Sequence, residues 1–177
     1  ARMNFKGRNV IFILIISTMI IPFQLLMIPI YTLALHLGLQ NTYAGMILPH
    51  ITTALGIFIM RAGFQAIPHE LDESARMDGA NSFQIWWRIL MPLVRPSMVT
   101  VAIFTFVNAW DDFLWPLIIV NNQNMFTLPL GVSTLMGTFT SNWRLIAAGA
   151  VISIIPIIIV FVVLQRFFIG GLKGAVK

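Results

Sequence analysis

The sequence predicts an all-α protein, a bundle of helices crossing a membrane several times. Three observations carry that reading. The chain has 177 residues, of which 58% are hydrophobic and only 10% charged, whereas a soluble domain carries about 25% charge. Charge is missing over long runs: between Arg8 and Arg61, Arg95 and Asp111, Asp112 and Arg144, and Arg144 and Arg166. The acidic residues are also concentrated. Four of the six, Glu70, Asp72, Glu73 and Asp78, lie in one polar island, and the other two are the neighbours Asp111 and Asp112.

A helix needs about 20 mostly apolar residues to cross roughly 30 Å of hydrocarbon. The charge-free runs supply four such spans, over about 10–35, 43–61, 96–119 and 145–166. A large soluble core would demand polar helix faces, which these runs lack. Pro22, Pro29, Pro49, Pro116 and Pro156 fall inside the apolar blocks. Each removes a backbone donor, so bent helices are expected.

Net charge is +5, yet its distribution excludes a nucleic-acid surface. Ten of the eleven basic residues fall on one side of the four-span arrangement, and only Arg144 falls on the other. Positive charge marks the cytoplasmic side, so both ends and the acidic island at about 66–92 are expected in the cytoplasm. The segment 121–143 is then an outer loop. All five Trp fall near the expected membrane surfaces, Trp86 and Trp87 inside and Trp110, Trp115 and Trp143 outside, as interfacial anchoring requires. There is no Cys, hence no disulfide framework and no thiolate metal site. His36, His50 and His69 show no metal spacing and read as polar or interface residues.

Within the island, Glu70, Asp72 and Glu73 favour a helix N-terminus and Gly79 suits its end. Asn81 to Gln84 has the form of a capping box. Phe83, Trp86, Trp87 and Leu90 follow at i, i+3, i+4 and i+7, which predicts one apolar face of an α-helix. Further along, Asp111 lies sixteen residues beyond Arg95, ~24 Å up a helix, close to the outer edge of the hydrocarbon. Carboxylates there, beside Trp faces, suit a hydroxyl-rich solute with apolar ring faces, and equally suit a solvated interface pair. No Gly-x4-Gly-Lys-Ser/Thr loop is present, so ATP chemistry is not expected on this chain. No nucleophile or acid–base constellation appears, and no enzyme activity is expected.

The island's spacing is Glu73-Ser74-Ala75, three residues, Gly79, nine residues, then Ile89-x-Met91-Pro92. It resembles the "EAA" loop of ABC-importer permeases, Glu-Ala-Ala-x3-Gly-x9-Ile-x-Leu-Pro, with Ser74 for Ala and Met91 for Leu. Ala1-Arg2 through Gly7-Arg8, Ile21-Pro22-Phe23-Gln24, Trp110-Asp111-Asp112-Phe113-Leu114-Trp115-Pro116, Thr127-Leu128-Pro129-Leu130-Gly131 and the tail from Gly171 are similar to the carbohydrate-type members. The family has Asn where this chain has Asp111.

The resemblance implies a type I importer permease (MetI-like) fold lacking about the first two helices. It implies a subunit importing a sugar or sugar-like solute across the bacterial inner membrane. Implied partners are a second permease, a cytoplasmic ATPase dimer carrying ATP and Mg, an extracytoplasmic solute-binding protein and membrane lipid. Glu73, Ser74, Ala75, Arg76, Asp78 and Gly79 would form the ATPase-coupling helix. Asn108, Trp110, Asp111, Asp112 and Trp115 would line the solute path or outer gate. Two alternatives have other signatures. An ion-coupled secondary transporter would use Asp111 and Asp112 without ATP, and a non-transporting scaffold would lack a solute path.

Overall fold

The computed structural model describes residues 1–136 and 142–172, with side chains as far as Gln165. The expected outer loop 121–143 is therefore described up to Met136 and from Asn142, and Lys173 to Lys177 lie outside the described residues. Eleven α-helical segments follow one another among the described residues. They are α1 (Arg8–Ser17), α2 (Phe23–His36), α3 (Tyr43–Ile47), α4 (Ala54–Gln65), α5 (Glu70–Met77), α6 (Ser82–Gln84), α7 (Met91–Leu93), α8 (Arg95–Asp111), α9 (Leu114–Ile119), α10 (Leu128–Ser133) and α11 (Trp143–Leu172).

Proline chemistry sets several of the breaks. Pro22 cannot donate and disfavours a helical Ile21 before it. The run 10–35 accordingly tightens into a 3-10 turn at Thr18–Ile20 and restarts at Phe23. The ring of Pro116 excludes the helical position of the Asp112 carbonyl four residues earlier. The run 96–119 is therefore interrupted at Asp112–Phe113. Pro49 sits in a 3-10 turn, Leu48–His50, and Thr53 then caps α4, its Oγ1 accepting from Gly56 N at 3.1 Å. Pro29 and Pro156 lie inside uninterrupted helices. Trp143–Gln165 is long and apolar enough to cross a membrane by itself. The number rises to as many as four if Arg8–Ile20 with Phe23–His36, Tyr43–His50 with Ala54–Gln65, and Ser82–Leu93 with Arg95–Asp111 each form one bent span.

The chain forms two compact units. The first comprises Ala1–Ile20, Thr53–Phe104 and Leu164–Lys177. Here α1 meets α4 through Phe12 stacked on Phe58 at 6.4 Å. The Arg61 guanidinium lies 3.7 Å over the Phe12 ring and donates to Asn9 Oδ1 at 3.1 Å. Gly63 lets α4 reach α8: a Cβ there would stand 2.2 Å from Ser97 Oγ and 2.7 Å from Ser97 Cβ. Small residues at such crossings bring helix backbones close where lipid gives no hydrophobic drive to pack. The buried core of this unit is Ile67, Ala75, Ile85, Leu90 and Val94.

The second unit comprises Ile21–Thr52 and Thr105–Val163. Its core is Ala34, Trp115, Ile119 and Val120, with Phe23, Ile30, Tyr31 and Met46 packed on it. Asn41, in a left-handed conformation at φ 55°, accepts at Oδ1 from the backbone N–H groups of Asn121 (2.6 Å) and Asn122 (3.0 Å). Its own N–H donates to Ile119 O at 3.0 Å. That residue ties the turn after α2 to the chain leaving α9. On α11, Ile154, Ile155, Ile158, Ile159, Phe161, Val162 and Val163 are all exposed. A helix apolar on every side is one that meets lipid or other protein.

Candidate functional site

The acidic island folds as a helix, a glycine turn and a second helical segment, all within the first unit. Glu70, Asp72 and Glu73 occupy the first turn of α5 and Arg76 its last, which matches side-chain charge to the helix dipole at both ends. Gly79 follows at φ +83°. Its N–H donates to Arg76 O at 3.0 Å, and Ala80 N donates to Ala75 O at 2.9 Å. This pair of bonds is the Schellman closure, with a left-handed residue between them. Its apolar contact is made too, because Ala80 packs on the core that holds Ala75. The capping box also forms, Asn81 N donating to Gln84 Oε1 and Gln84 N to Asn81 Oδ1, both at 2.9 Å.

The six residues expected to couple divide by burial. Glu73, Ser74, Arg76, Asp78 and Gly79 are exposed, whereas Ala75 is 6% exposed and faces Ile67, Ile85, Leu90 and Val94. The acidic helix is thus held from beneath by its smallest side chain and shows its charges outward. Met77 is 88% exposed at the end of this helix. Only its position on α5 opposite Ala75 could have flagged it.

The face expected on Phe83, Trp86, Trp87 and Leu90 is corrected by the structure. Ile85–Leu90 winds as a π-helix. Wider winding brings residues five apart into line, so Ile85 and Leu90 are the buried pair. Phe83 and Trp87 stay exposed, at 67% and 58%. Phe83, Trp86 and Trp87 instead form a ladder of rings with centroids 5.6 and 5.7 Å apart.

Beside α5 a cavity of about 630 Å³ is lined by Arg2, Phe5, Phe64, Asp72, Arg76 and Trp86, among others. Arg2 is bound into its wall. Its Nε donates to Asp72 Oδ2 at 2.9 Å, its Nη1 to Phe64 O at 3.1 Å and to Ile67 O, and its Nη2 to Pro68 O at 3.0 Å. The paired side chains are 10% and 17% exposed. In the sequence no local pattern links Arg2 to these partners, which lie 62 to 70 positions away.

The Asp111–Asp112 segment belongs to the second unit. Asn108 and Asp111 are exposed, and Trp110 is half-buried, donating from Nε1 to Ser153 O at 2.9 Å. Asp112 stands at the break before α9, where Oδ1 accepts from Trp115 N at 3.4 Å. Its Oδ2 lies 3.4 Å from His50 Nε2. The two atoms approach without hydrogen-bond alignment, and the buried His50 nitrogen has no hydrogen-bond partner. Trp115 is 1% exposed and donates from Nε1 to Gly45 O at 3.0 Å. Phe23 joins the group, its ring centroid 6.0 Å from Trp115 and 4.9 Å from His50.

The structure therefore brings Asp112 and Trp115 together and adds His50 and Phe23. Trp115 turns its indole into the protein and presents no face to a solute. His50 was read only as a polar or interface residue. Its separation of 62 positions from Asp112 carries no local signal. Among the described residues no group of three or more His, Cys, Asp or Glu could hold a metal ion.

Residues 1–173 match the family described as "Binding-protein-dependent transport system inner membrane component". The chain belongs to this family. It is 42% identical over 98% of its length to the arabinooligosaccharides transport system permease protein AraQ of Halalkalibacterium halodurans, covering 63% of that protein. It is 33% identical over 97% of its length to the lactose transport system permease protein LacG of Rhizobium radiobacter, again covering 63%. A solved chain from a bacterial ABC transporter involved in the import of the acidic polysaccharide alginate matches with TM-score 0.80 and 27% identity, over 94% of this chain and 64% of that one. The all-α importer-permease fold expected from the EAA-like loop is thus the fold observed, and the chain spans about 63% of the curated relatives it matches. The scaffold and ion-coupled alternatives give way to a family of binding-protein-dependent transport components.

Proposed function

We propose that this chain is a membrane-spanning part of an ATP-driven importer for a sugar or sugar-like solute. In this reading it passes motion from a cytoplasmic ATPase to the solute path. The observation that carries the proposal is the construction of α5. An exposed acidic helix is closed at one end by Gly79 and held from beneath by buried Ala75. Such a helix offers Glu73, Arg76, Asp78 and the protruding Met77 to a cleft on another protein, where the carboxylates can meet Arg. ATP and Mg would be bound by that partner. The four runs 10–35, 43–61, 96–119 and 145–166 cross the membrane, broken where proline requires, with both ends and α5 in the cytoplasm. A second permease subunit and lipid would cover the exposed apolar side chains of α1 and α11. The outer segment 121–143 would meet an extracytoplasmic solute-binding protein.

The sugar class rests on relatives named for arabinooligosaccharides and lactose. Another relative is named for sn-glycerol-3-phosphate, so a phosphorylated polyol belongs in the same screen. Asn108, Trp110, Asp111 and Asp112 are proposed for the solute path or outer gate, with Trp115 as the buried support that sets their height.

The test reconstitutes the complete permease with its partner subunits and measures uptake alongside solute-stimulated ATP hydrolysis. Loss of one member of a buried interfacial charge pair costs about 2–5 kcal/mol, less at the rim. Glu73→Ala should weaken ATPase docking, and Glu73→Lys should do so more strongly. Unchanged docking and unchanged coupled uptake in both variants would remove α5 as the coupling element.

A further inference from the structure

The feature of the first unit that the coupling proposal leaves unused is Arg2. Its guanidinium makes four bonds to three pieces of backbone and one carboxylate that are 62 to 70 positions away in sequence. Phe64 is in the last turn of α4, whose carbonyls have no helical partner and carry the negative end of the helix dipole. Ile67 and Pro68 lie in the link between α4 and α5. Asp72 is in the first turn of α5. A planar fork can satisfy all of these at once because its donors point in fixed, divergent directions.

We propose that Arg2 is the positioning residue that makes α5, the end of α4 and the segment leading into α1 move as one body. The inference rests on α5 being the coupling helix. The two helices are joined by a link only four residues long, 66–69, in which Ile67 is the buried residue. From beneath, α5 is held through Ala75, an alanine with little side chain to resist rotation. Without Arg2, a push on α5 would be absorbed by swivelling of that link. With Arg2 in place, α5 turns only if α4 turns with it. The same guanidinium also draws residues 1–7 onto the loop, so α1, packed on α4 through Phe12 and Phe58, receives the motion from two sides.

The proposal predicts a defect in the ratio of transport to hydrolysis, not in the amount of assembled complex. The experiment compares Arg2→Gln, Arg2→Lys, Asp72→Asn and a Glu73→Ala control in the complete permease, assembled with its partners in liposomes. Assembled amount, ATPase docking, hydrolysis and uptake are measured together. Arg2→Gln should keep docking and hydrolysis and lower uptake per ATP by about tenfold, the shift expected from losing the equivalent of one charge-assisted hydrogen bond. Arg2→Lys should fall between Gln and the unaltered protein, because an ammonium reaches Asp72 but cannot fork over three carbonyls. Asp72→Asn should be milder still, since the carbonyl bonds remain. A normal uptake-to-hydrolysis ratio in Arg2→Gln overturns the proposal, as does a fall in assembled amount alone across the Arg2 and Asp72 variants. Should Glu73→Ala impair docking while Arg2→Gln changes nothing, Arg2 fails and the coupling helix stands. Should Glu73→Ala itself change nothing, the coupling reading fails instead.

Discussion

Gly79 separates backbone strain from lost contact more cleanly than any other position in the proposed coupling loop. Its φ is +83°, and a Cβ built there would meet nothing within 4 Å. Substitution therefore creates no clash, and the whole effect comes from holding a side-chain-bearing residue in the left-handed region. That costs roughly 1–2 kcal/mol for Ala. It costs less for Asn, which visits this region more readily, and more for a β-branched residue. The helix it closes has eight residues, too short to persist without tertiary support. A strained turn will be relieved by unwinding the last turn of α5, which carries Arg76 and Met77. At 1.4 kcal/mol per tenfold, Gly79→Ala should lower the population of the closed loop by roughly five- to thirtyfold. Coupled uptake should follow the order Gly, Asn, Ala, Val. The assay is uptake per ATP in reconstituted complexes, with hydrogen exchange of the Gly79 and Ala80 amides reporting the two closing bonds. If Asn harms coupling as much as Val does, strain is not the cause and the turn argument fails. If exchange at both amides is unchanged in Gly79→Ala, the loop does not depend on that conformation.

Three other outcomes follow from packing and hydrogen bonding. Gly63→Ala should destabilise the α4–α8 crossing by about 1–3 kcal/mol, and Ser97→Gly should restore most of it, because both close contacts are to the Ser97 side chain; thermal unfolding of the two singles and the double decides, and no rescue would refute the contact. Trp115→Phe keeps the ring but leaves the Gly45 carbonyl without its indole donor, which should cost about 1–3 kcal/mol, read as a lower unfolding temperature. Asp112→Asn should keep the bond from Trp115 N while replacing the carboxylate that faces His50, whereas Asp112→Ala should lose both groups. If solute preference and uptake survive Asp112→Ala, Asp112 is structural only.

The elements of the acidic loop were largely legible in the sequence because their signals are local. Carboxylates in a first turn, a glycine after a last turn and the Asn81–Gln84 pair act over three or four residues, and each formed as read. The π-winding of Ile85–Leu90 was not legible. The spacing of Phe83, Trp86, Trp87 and Leu90 is a good α-helical pattern. Only packing on Ile67, Ala75 and Val94 selects Ile85 and Leu90, five apart, as the buried pair. Proline positions announced that the apolar runs would bend. Which prolines would break a helix and which would sit inside one, as Pro29 and Pro156 do, depends on neighbours the chain does not display in order.

Composition and charge spacing alone determined the membrane class, the helical fold and the place of the exposed acidic helix, since hydropathy, capping and dipole effects act within a few residues. Tertiary structure alone decided that Arg2 reaches Phe64, Ile67, Pro68 and Asp72, and that His50 faces Asp112, whose other oxygen accepts from the backbone of buried Trp115. Those partners lie 62 to 70 positions apart. No periodicity connects residues at that distance. Their meeting is set by where folded helices end, and the charges then settle on whichever carbonyl or carboxylate the fold has brought within reach.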